Sequence, residues 1–239
     1  MILLLHAFPL NNQMYALLQQ ALYDAGEEVF APNVPGFGGQ AGTLTSLEDF
    51  AQDLLKTLPE QGTIALGLSM GGYLLMRLLA LAPERFSGVI LANTRMGEDT
   101  PEGKQNRLNV AEKVLKEGLK SVPDAMLPGL LGQDAPEDII DSVKTMVLQA
   151  SPEGVAAAQR AMAARPDSKE VLSGLNMPVL VIAGKQDTLI PTSASREMAE
   201  VTKGQYLELD TAHLSNLLDP EGFNEAVLKF IEEVRAAEE

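Results

Sequence analysis

The sequence contains no cysteine. That excludes disulfides, thiolate-bound metal and a cysteine nucleophile, so any covalent chemistry falls to hydroxyl, carboxylate or imidazole groups. Basic residues are also scarce, with 18 Lys and Arg against 33 Asp and Glu, for a formal charge of −15. Such a surface repels phosphate, and neither nucleic acid nor an anionic membrane is an expected partner. Apolar residues make up 46% of the chain, enough for a sizeable core. No run of them approaches the roughly 20 residues that span a bilayer. Met1-Ile-Leu-Leu-Leu-His6 has neither a basic flank nor the apolar length of a signal peptide, so a soluble, cytoplasmic protein is expected. Histidine occurs only twice, as His6 and His213, without ligand spacing, and the scattered carboxylates match no binding loop. No G-x-x-G pattern carries a P-loop lysine, and the glycines at 36–42 do not open a dinucleotide-binding helix. No metal and no cofactor is implied.

What is present is an alternation of buried strands and helices. Ile2–Leu5, Glu28–Ala31, Thr63–Gly67, Gly88–Ala92, Pro178–Ala183 and Tyr206–Leu209 are short apolar or β-branched runs that read as strands. Between them fall helical periodicities: one after Asn11 or Asn12 closing near Gly26, one over 44–58 with Ser46 as N-cap, and a largely apolar one over 70–82. Further helices are expected near 193–201 and from about Asp219-Pro220 onward, and a Pro/Gly loop at 32–39 suits a site entrance. Short connections between alternating elements predict a parallel sheet with helices on both faces. From Asn93 to about Asn176 the alternation stops. Helical stretches over 102–117, 123–131, 136–150 and 152–164, the last opened by Ser151-Pro152, predict an inserted cap. The expected organisation is a core of 1–97 and 166–239 with a cap of 98–165.

The chain is organised around Thr63-Ile-Ala-Leu-Gly67-Leu-Ser69-Met-Gly71-Gly72. Strand, tight turn and helix meet at Ser69, with Gly67 and Gly71 where a Cβ would collide with the neighbouring element. G-x-S-x-G alone is a short pattern, and its context gives it weight. Asp187 follows the strand 178–183, and His213 follows the strand 206–209. The C-terminal ends of parallel strands gather at one edge, so Ser69, Asp187 and His213 are expected to meet there. A hydroxyl nucleophile, an imidazole to take its proton and a carboxylate to fix the tautomer make a complete catalytic set. Singly each residue has a bland reading: a turn, a cap, a surface histidine. Order and strand-end position together favour the chemical one.

His6-Ala-Phe-Pro9, Pro35-Gly-Phe-Gly38, Gly67-Leu-Ser-Met-Gly-Gly72, Gly184-Lys-Gln-Asp187 and Ala212-His213 cover nearly the whole chain. In these motifs it resembles the α/β-hydrolase family, in particular its lid-bearing carboxylesterase-like branch. The resemblance implies that the backbone N–H groups of Phe8 and Met70 form an oxyanion hole, that His6 is structural, and that the cap is a lid. It departs from the family at Ala7, commonly glycine, and in having no sequence before Ile2 for the usual first hairpin. The expected sheet is therefore reduced to six parallel strands, in the spatial order second, first, third, fourth, fifth, sixth. Asn93 stands where some members keep the acid; an amide cannot serve, which leaves Asp187.

Met96, Met126, Met146 and Met162 lie in or beside the cap, where flexible thioethers suit an adaptable acyl pocket or simply fill core. The expected activity is that of a serine esterase cleaving small to medium apolar carboxylic esters through an acyl-enzyme. An enol-lactonase, a C–C bond hydrolase or an aminopeptidase on the same triad are the alternatives, as is a catalytically silent receptor. Serine at the elbow disfavours a dehalogenase with an aspartate nucleophile.

Overall fold

Four consecutive aliphatic side chains at Ile2–Leu5 (β1) need cover on both faces, and they have it in the computed structural model, which describes residues 1–238. Five further strands join β1: Val29–Phe30 (β2), Thr63–Leu68 (β3), Phe86–Ala92 (β4), Val179–Gly184 (β5) and Gln205–Leu209 (β6). All neighbours pair in parallel, in the order β2-β1-β3-β4-β5-β6, which is the expected one. The central strands β1, β3 and β5 are buried throughout, whereas the edge strands β2 and β6 are half-exposed. β2 is shorter than expected because only Val29 and Phe30 pair with β1, and Pro32 just beyond has no N–H to extend the ladder.

Helices α1 (Ala16–Asp24), α2 (Leu47–Leu55) and α3 (Met70–Leu81) fill the first crossovers. α2 is shorter than the expected 44–58. Ser46 Oγ accepts the Asp49 N–H at 3.0 Å and sets its start. At its other end the Arg85 guanidinium gathers the carbonyls of Leu55, Leu58 and Pro59 at 2.7–3.0 Å. Leu44 and Leu58 are buried from the flanking loops instead.

Between β4 and β5 lie α4 (Pro101–Glu117), α5 (Val122–Leu131), α6 (Glu137–Leu148), α7 (Pro152–Ala163) and the short α8 (Lys169–Ser173), with no strand among the described residues. Thr100 and Ser151 accept the N–H groups of Gly103 and Gly154 at 3.1 and 3.0 Å, so each caps a helix that begins with proline. α4 packs on α7 and α5 on α6. The start of α7 sits on the 32–39 loop: a Cβ on Gly36 would lie 2.4 Å from Gly154 Cα, and Ser151 N–H donates to Gly36 O at 2.8 Å.

α9 (Thr192–Thr202), α10 (Ser215–Leu218) and α11 (Pro220–Glu238) complete the chain. α8 and α10 were not expected, being too short to show a helical period. α2 and α8 pack on α3, and α9 on β5, while α11 packs on α1 and β4. No helix of the described residues is long and apolar enough to cross a membrane.

Candidate active site

The turn between β3 and α3 is where local sterics first become chemistry. Ser69 has φ 57° and ψ −114°, a conformation L-residues seldom adopt. It is held there by its own N–H to Ala92 O at 3.0 Å, by Gly72 N–H to its carbonyl at 2.9 Å, and by Thr94 Oγ1–H to the same carbonyl at 2.9 Å. The flanking glycines are required by space: a Cβ on Gly71 would lie 2.0 Å from Leu5 O, and one on Gly67 2.4 Å from Gly71 O.

His213 and Asp187 come to the serine from the loops after β6 and β5. His213 Nε2 lies 2.8 Å from Ser69 Oγ, and Nδ1 lies 2.8 Å from Asp187 Oδ2. An ionised carboxylate only accepts, so Nδ1 carries the proton and Nε2 is left to accept from the serine hydroxyl. Asp187 Oδ1 takes the N–H groups of Leu189 and Ile190 at 2.9 and 3.0 Å, and Asn93 Nδ2–H donates to Oδ2 at 3.2 Å. Burial opposes the aspartate's charge, but hydrogen bonds from His213, Ile190 and Asn93 and the attraction of His213 outweigh it, holding its pKa below the ordinary value. Asn93 thus hydrogen-bonds to Asp187 rather than standing in its place.

Phe8 and Met70 flank the same corner. Neither N–H donates to another group among the described residues, in contrast with Ala7 N–H, which is taken up by Met14 Sδ at 3.2 Å. Met70 is also the first residue of α3, where the helix presents unpaired N–H groups and partial positive charge. His6 faces inward: Val34 N–H donates to its Nε2 at 3.0 Å, so Nδ1–H donates to Ala7 O at 2.9 Å. Burial pushes its pKa down to about 4, which keeps it neutral.

Residues 1–220 match the family model of the α/β hydrolase fold. The chain belongs to the α/β-hydrolase family. It is 34% identical over 167 residues to a 3-oxoadipate enol-lactonase of Acinetobacter baylyi, a match spanning 67% of this chain and 60% of the relative. Among solved structures, a thermophilic esterase from Thermogutta terrifontis with malate bound superposes with a TM-score of 0.89 at 34% identity, covering 98% of this chain and 89% of that one. The enol-lactonase from Burkholderia xenovorans LB400 gives 0.88 at 28% identity, covering 97% and 90%.

In this α/β-hydrolase a cavity of about 190 Å³ opens at Ser69 and His213. Met126 and Met162, two of the four methionines singled out, line it together with Phe8. Met96 and Met146 do not; both are buried in the hydrophobic core, Met96 just after β4 and Met146 on α6, so packing accounts for them. A second cavity of about 250 Å³ shares Phe8, Met126 and Gln159 with the first and continues along Val110, Val114 and Val122 of α4 and α5.

The residues that sequence reasoning missed are polar. Arg95, Arg107, Gln159 and Tyr73 also line the first cavity, so its wall is less apolar than expected. The arginines converge with Arg165 on one buried carboxylate, Asp99. Burial opposes ionisation of Asp99, but hydrogen bonds from Arg165 and Arg107 outweigh it and hold its pKa well below the usual carboxylate range. A usable signal was the spacing Arg95 to Asp99 beside the fourth strand's end, in a chain poor in cations. Among the described residues no group of three or more His, Asp or Glu is placed to hold a metal ion.

Proposed function

We propose that this α/β-hydrolase is a serine hydrolase of small to medium carboxylic esters, lactones included, working through an acyl-enzyme. The observation that carries this is the continuous path Ser69 Oγ to His213 Nε2, and Nδ1 to Asp187, with both contacts at 2.8 Å. Ser69 Oγ attacks the ester carbonyl and passes its proton to His213 Nε2, while Asp187 stabilises the imidazolium. The carbonyl oxygen, now negative, is held by the Phe8 and Met70 N–H groups. The C–O bond breaks, the departing alkoxide takes the proton from His213, and water repeats the sequence in reverse to release the acid. In a lactone the departing oxygen remains tethered to the acyl group and the chemistry is otherwise the same. The likeness to enol-lactonases and to an esterase supports both substrate forms. Helices α4–α7 act in this reading as a lid, since Arg107, Met126, Gln159 and Met162 of the cavity wall come from them.

The test is labelling and turnover. A small fluorophosphonate should modify the chain once, at Ser69, and Ser69→Ala should lower ester turnover by about six orders of magnitude. A panel of nitrophenyl esters, aliphatic lactones and enol-lactones, and aminoacyl amides ranks the substrate forms. Labelling at another residue, or a Ser69→Ala protein still within tenfold of wild type, removes the proposal.

A further inference from the structure

The acidic chain concentrates three of its 18 cations around a single carboxylate beside the nucleophile. Asp99 is nearly inaccessible, and its two oxygens are bridged by Arg165, Nη1 to Oδ2 at 2.7 Å and Nη2 to Oδ1 at 3.0 Å. Arg165 is itself buried and stacks on the Tyr73 ring at 4.0 Å; both of its terminal nitrogens are taken up, by Asp99, Met162 O and Gly97 O, and only its Nε, shut away from the cavity, has no partner. One guanidinium is enough to neutralise and hydrogen-bond one carboxylate. Arg95 and Arg107 nevertheless join it, each with a single nitrogen: Arg95 Nη2 on Oδ1 and Arg107 Nε on Oδ2.

The remainder of each fork is not used up. Arg107 Nη1 reaches the neutral acceptors Gln159 Oε1 and Met162 Sδ at 3.1 and 3.6 Å. Arg107 Nη2 and Arg95 Nη1 enter no hydrogen bond among the described residues, and Arg95 Nε is buried without a partner. Both side chains line the Ser69 cavity. Three guanidinium charges against one carboxylate leave an excess of two positive charges in a part-buried wall. A cluster serving only to tie loops together gains nothing from that imbalance, since charge removed from water needs compensation. An anion in the cavity would supply it.

We propose that Arg95 and Arg107 form a carboxylate subsite, so that the preferred substrates are small esters or lactones carrying a second, free carboxylate. This rests on the ester-hydrolase reading and narrows it. Asp99 and Arg165 are positioning residues: they fix the two forks, and Gln159 steadies the Arg107 end. The carboxylate takes the unused guanidinium N–H groups while the ester carbonyl sits at Ser69. Neutral esters of the same size lack that anchor.

The experiment compares each half-ester with its own diester, which keeps the spacer and removes the charge. Monomethyl and dimethyl succinate, glutarate and adipate place the carboxylate in the acyl part. Acetoxyacetate and 3-acetoxypropanoate, against their methyl esters, place it in the alcohol part. In wild type, kcat/KM for the best anionic substrate should exceed that of its neutral counterpart by about 10- to 100-fold, mainly through KM, as charge-assisted hydrogen bonds imply. Arg107→Gln and Arg95→Gln should each cut that ratio at least tenfold, and Arg107→Lys should fall between, keeping the charge but losing the fork. Asp99 keeps Arg165 in every variant, and a thermal melt checks folding. Ratios near or below one in both series overturn the subsite, as does a ratio that survives both Gln substitutions. Should no ester of either kind turn over, the hydrolase reading fails on its own. The subsite is then judged by calorimetry on the intact protein with glutarate and adipate: binding abolished by Arg107→Gln supports it, and absence of binding overturns it.

Discussion

Replacing Asp187 with asparagine tests the geometry at its most constrained point. The two Asp187 oxygens have different duties. Oδ1 accepts from Leu189 and Ile190 at 2.9 and 3.0 Å, while Oδ2 faces His213 Nδ1 at 2.8 Å and Asn93 Nδ2 at 3.2 Å. An amide oxygen will stay on the two backbone N–H groups, because turning it away strands both at about 1–3 kcal/mol each. The new NH₂ must then face His213. It can only donate, so Nδ1 becomes the acceptor and the ring proton moves to Nε2. There it points at Ser69 and can no longer receive the hydroxyl proton.

The wrong tautomer should lower kcat by roughly 10⁴, or about 5 kcal/mol in the barrier. Folding should survive. Asn93 Oδ1 is buried without a partner, so a flip of the Asn93 amide offers the new NH₂ an acceptor in place of a second donor. The stability change is then expected to stay within about 1–2 kcal/mol. Steady-state hydrolysis of a nitrophenyl ester, with a urea melt on the same preparation, reads both quantities. A folded Asp187→Asn protein with kcat within tenfold of wild type would falsify the assignment, because another group would have to be orienting His213.

Gly71→Ala should fail to accumulate as folded protein, or lose more than about 3 kcal/mol, since its Cβ would lie 2.0 Å from Leu5 O and neither strand nor helix can retreat; a denaturant melt measures it. His6, neutral and buried with a pKa of about 4 against 6.5 when exposed, contributes stability that is complete above pH 6.5 and is lost as pH falls from there to about 4. That amounts to about 3 kcal/mol, and urea midpoints for wild type and His6→Gln should converge across this window; parallel curves refute it. Excising residues 98–165 with a Gly/Ser linker should leave a folded core that still hydrolyses the smallest activated esters but discriminates poorly among acyl chain lengths, read by circular dichroism and a chain-length series. An unchanged selectivity profile in the folded remnant refutes the lid reading, and an unfolded remnant makes α4–α7 part of the core.

How far the sequence could be read follows from the range of the forces involved. The elbow is legible because its cause is local: Gly67, Ser69 and Gly71 lie within five residues, and the collisions that demand glycine involve β1, β3 and α3 directly. Asp187 and His213 are legible because topology does the long-range work; a parallel sheet brings the ends of β5 and β6 to the same edge as that of β3, with β4 between, and the loops that follow reach across it. The sequence leaves pocket lining and core filling open for Met96, Met126, Met146 and Met162, and only the folded chain separates Met126 and Met162, which line the cavity, from Met96 and Met146, which do not. Arg95, Asp99, Arg107 and Arg165 were the least legible. They come from three separate segments, a loop, α4 and the stretch before α8, and α4 is so polar that nothing in its pattern distinguishes Arg107 from Lys104 or Lys113. What distinguishes it is the buried carboxylate eight residues earlier that its Nε reaches, and Gln159 of α7 that its Nη1 reaches. Chemistry common to the fold is written in short-range sterics and topology, whereas the cation cluster we propose as the carboxylate subsite forms only once the inserted helices have docked. A neighbouring chain could therefore keep every elbow residue and lose the cation cluster by a single change at Asp99, because three guanidinium groups without their shared counter-ion would repel one another and separate.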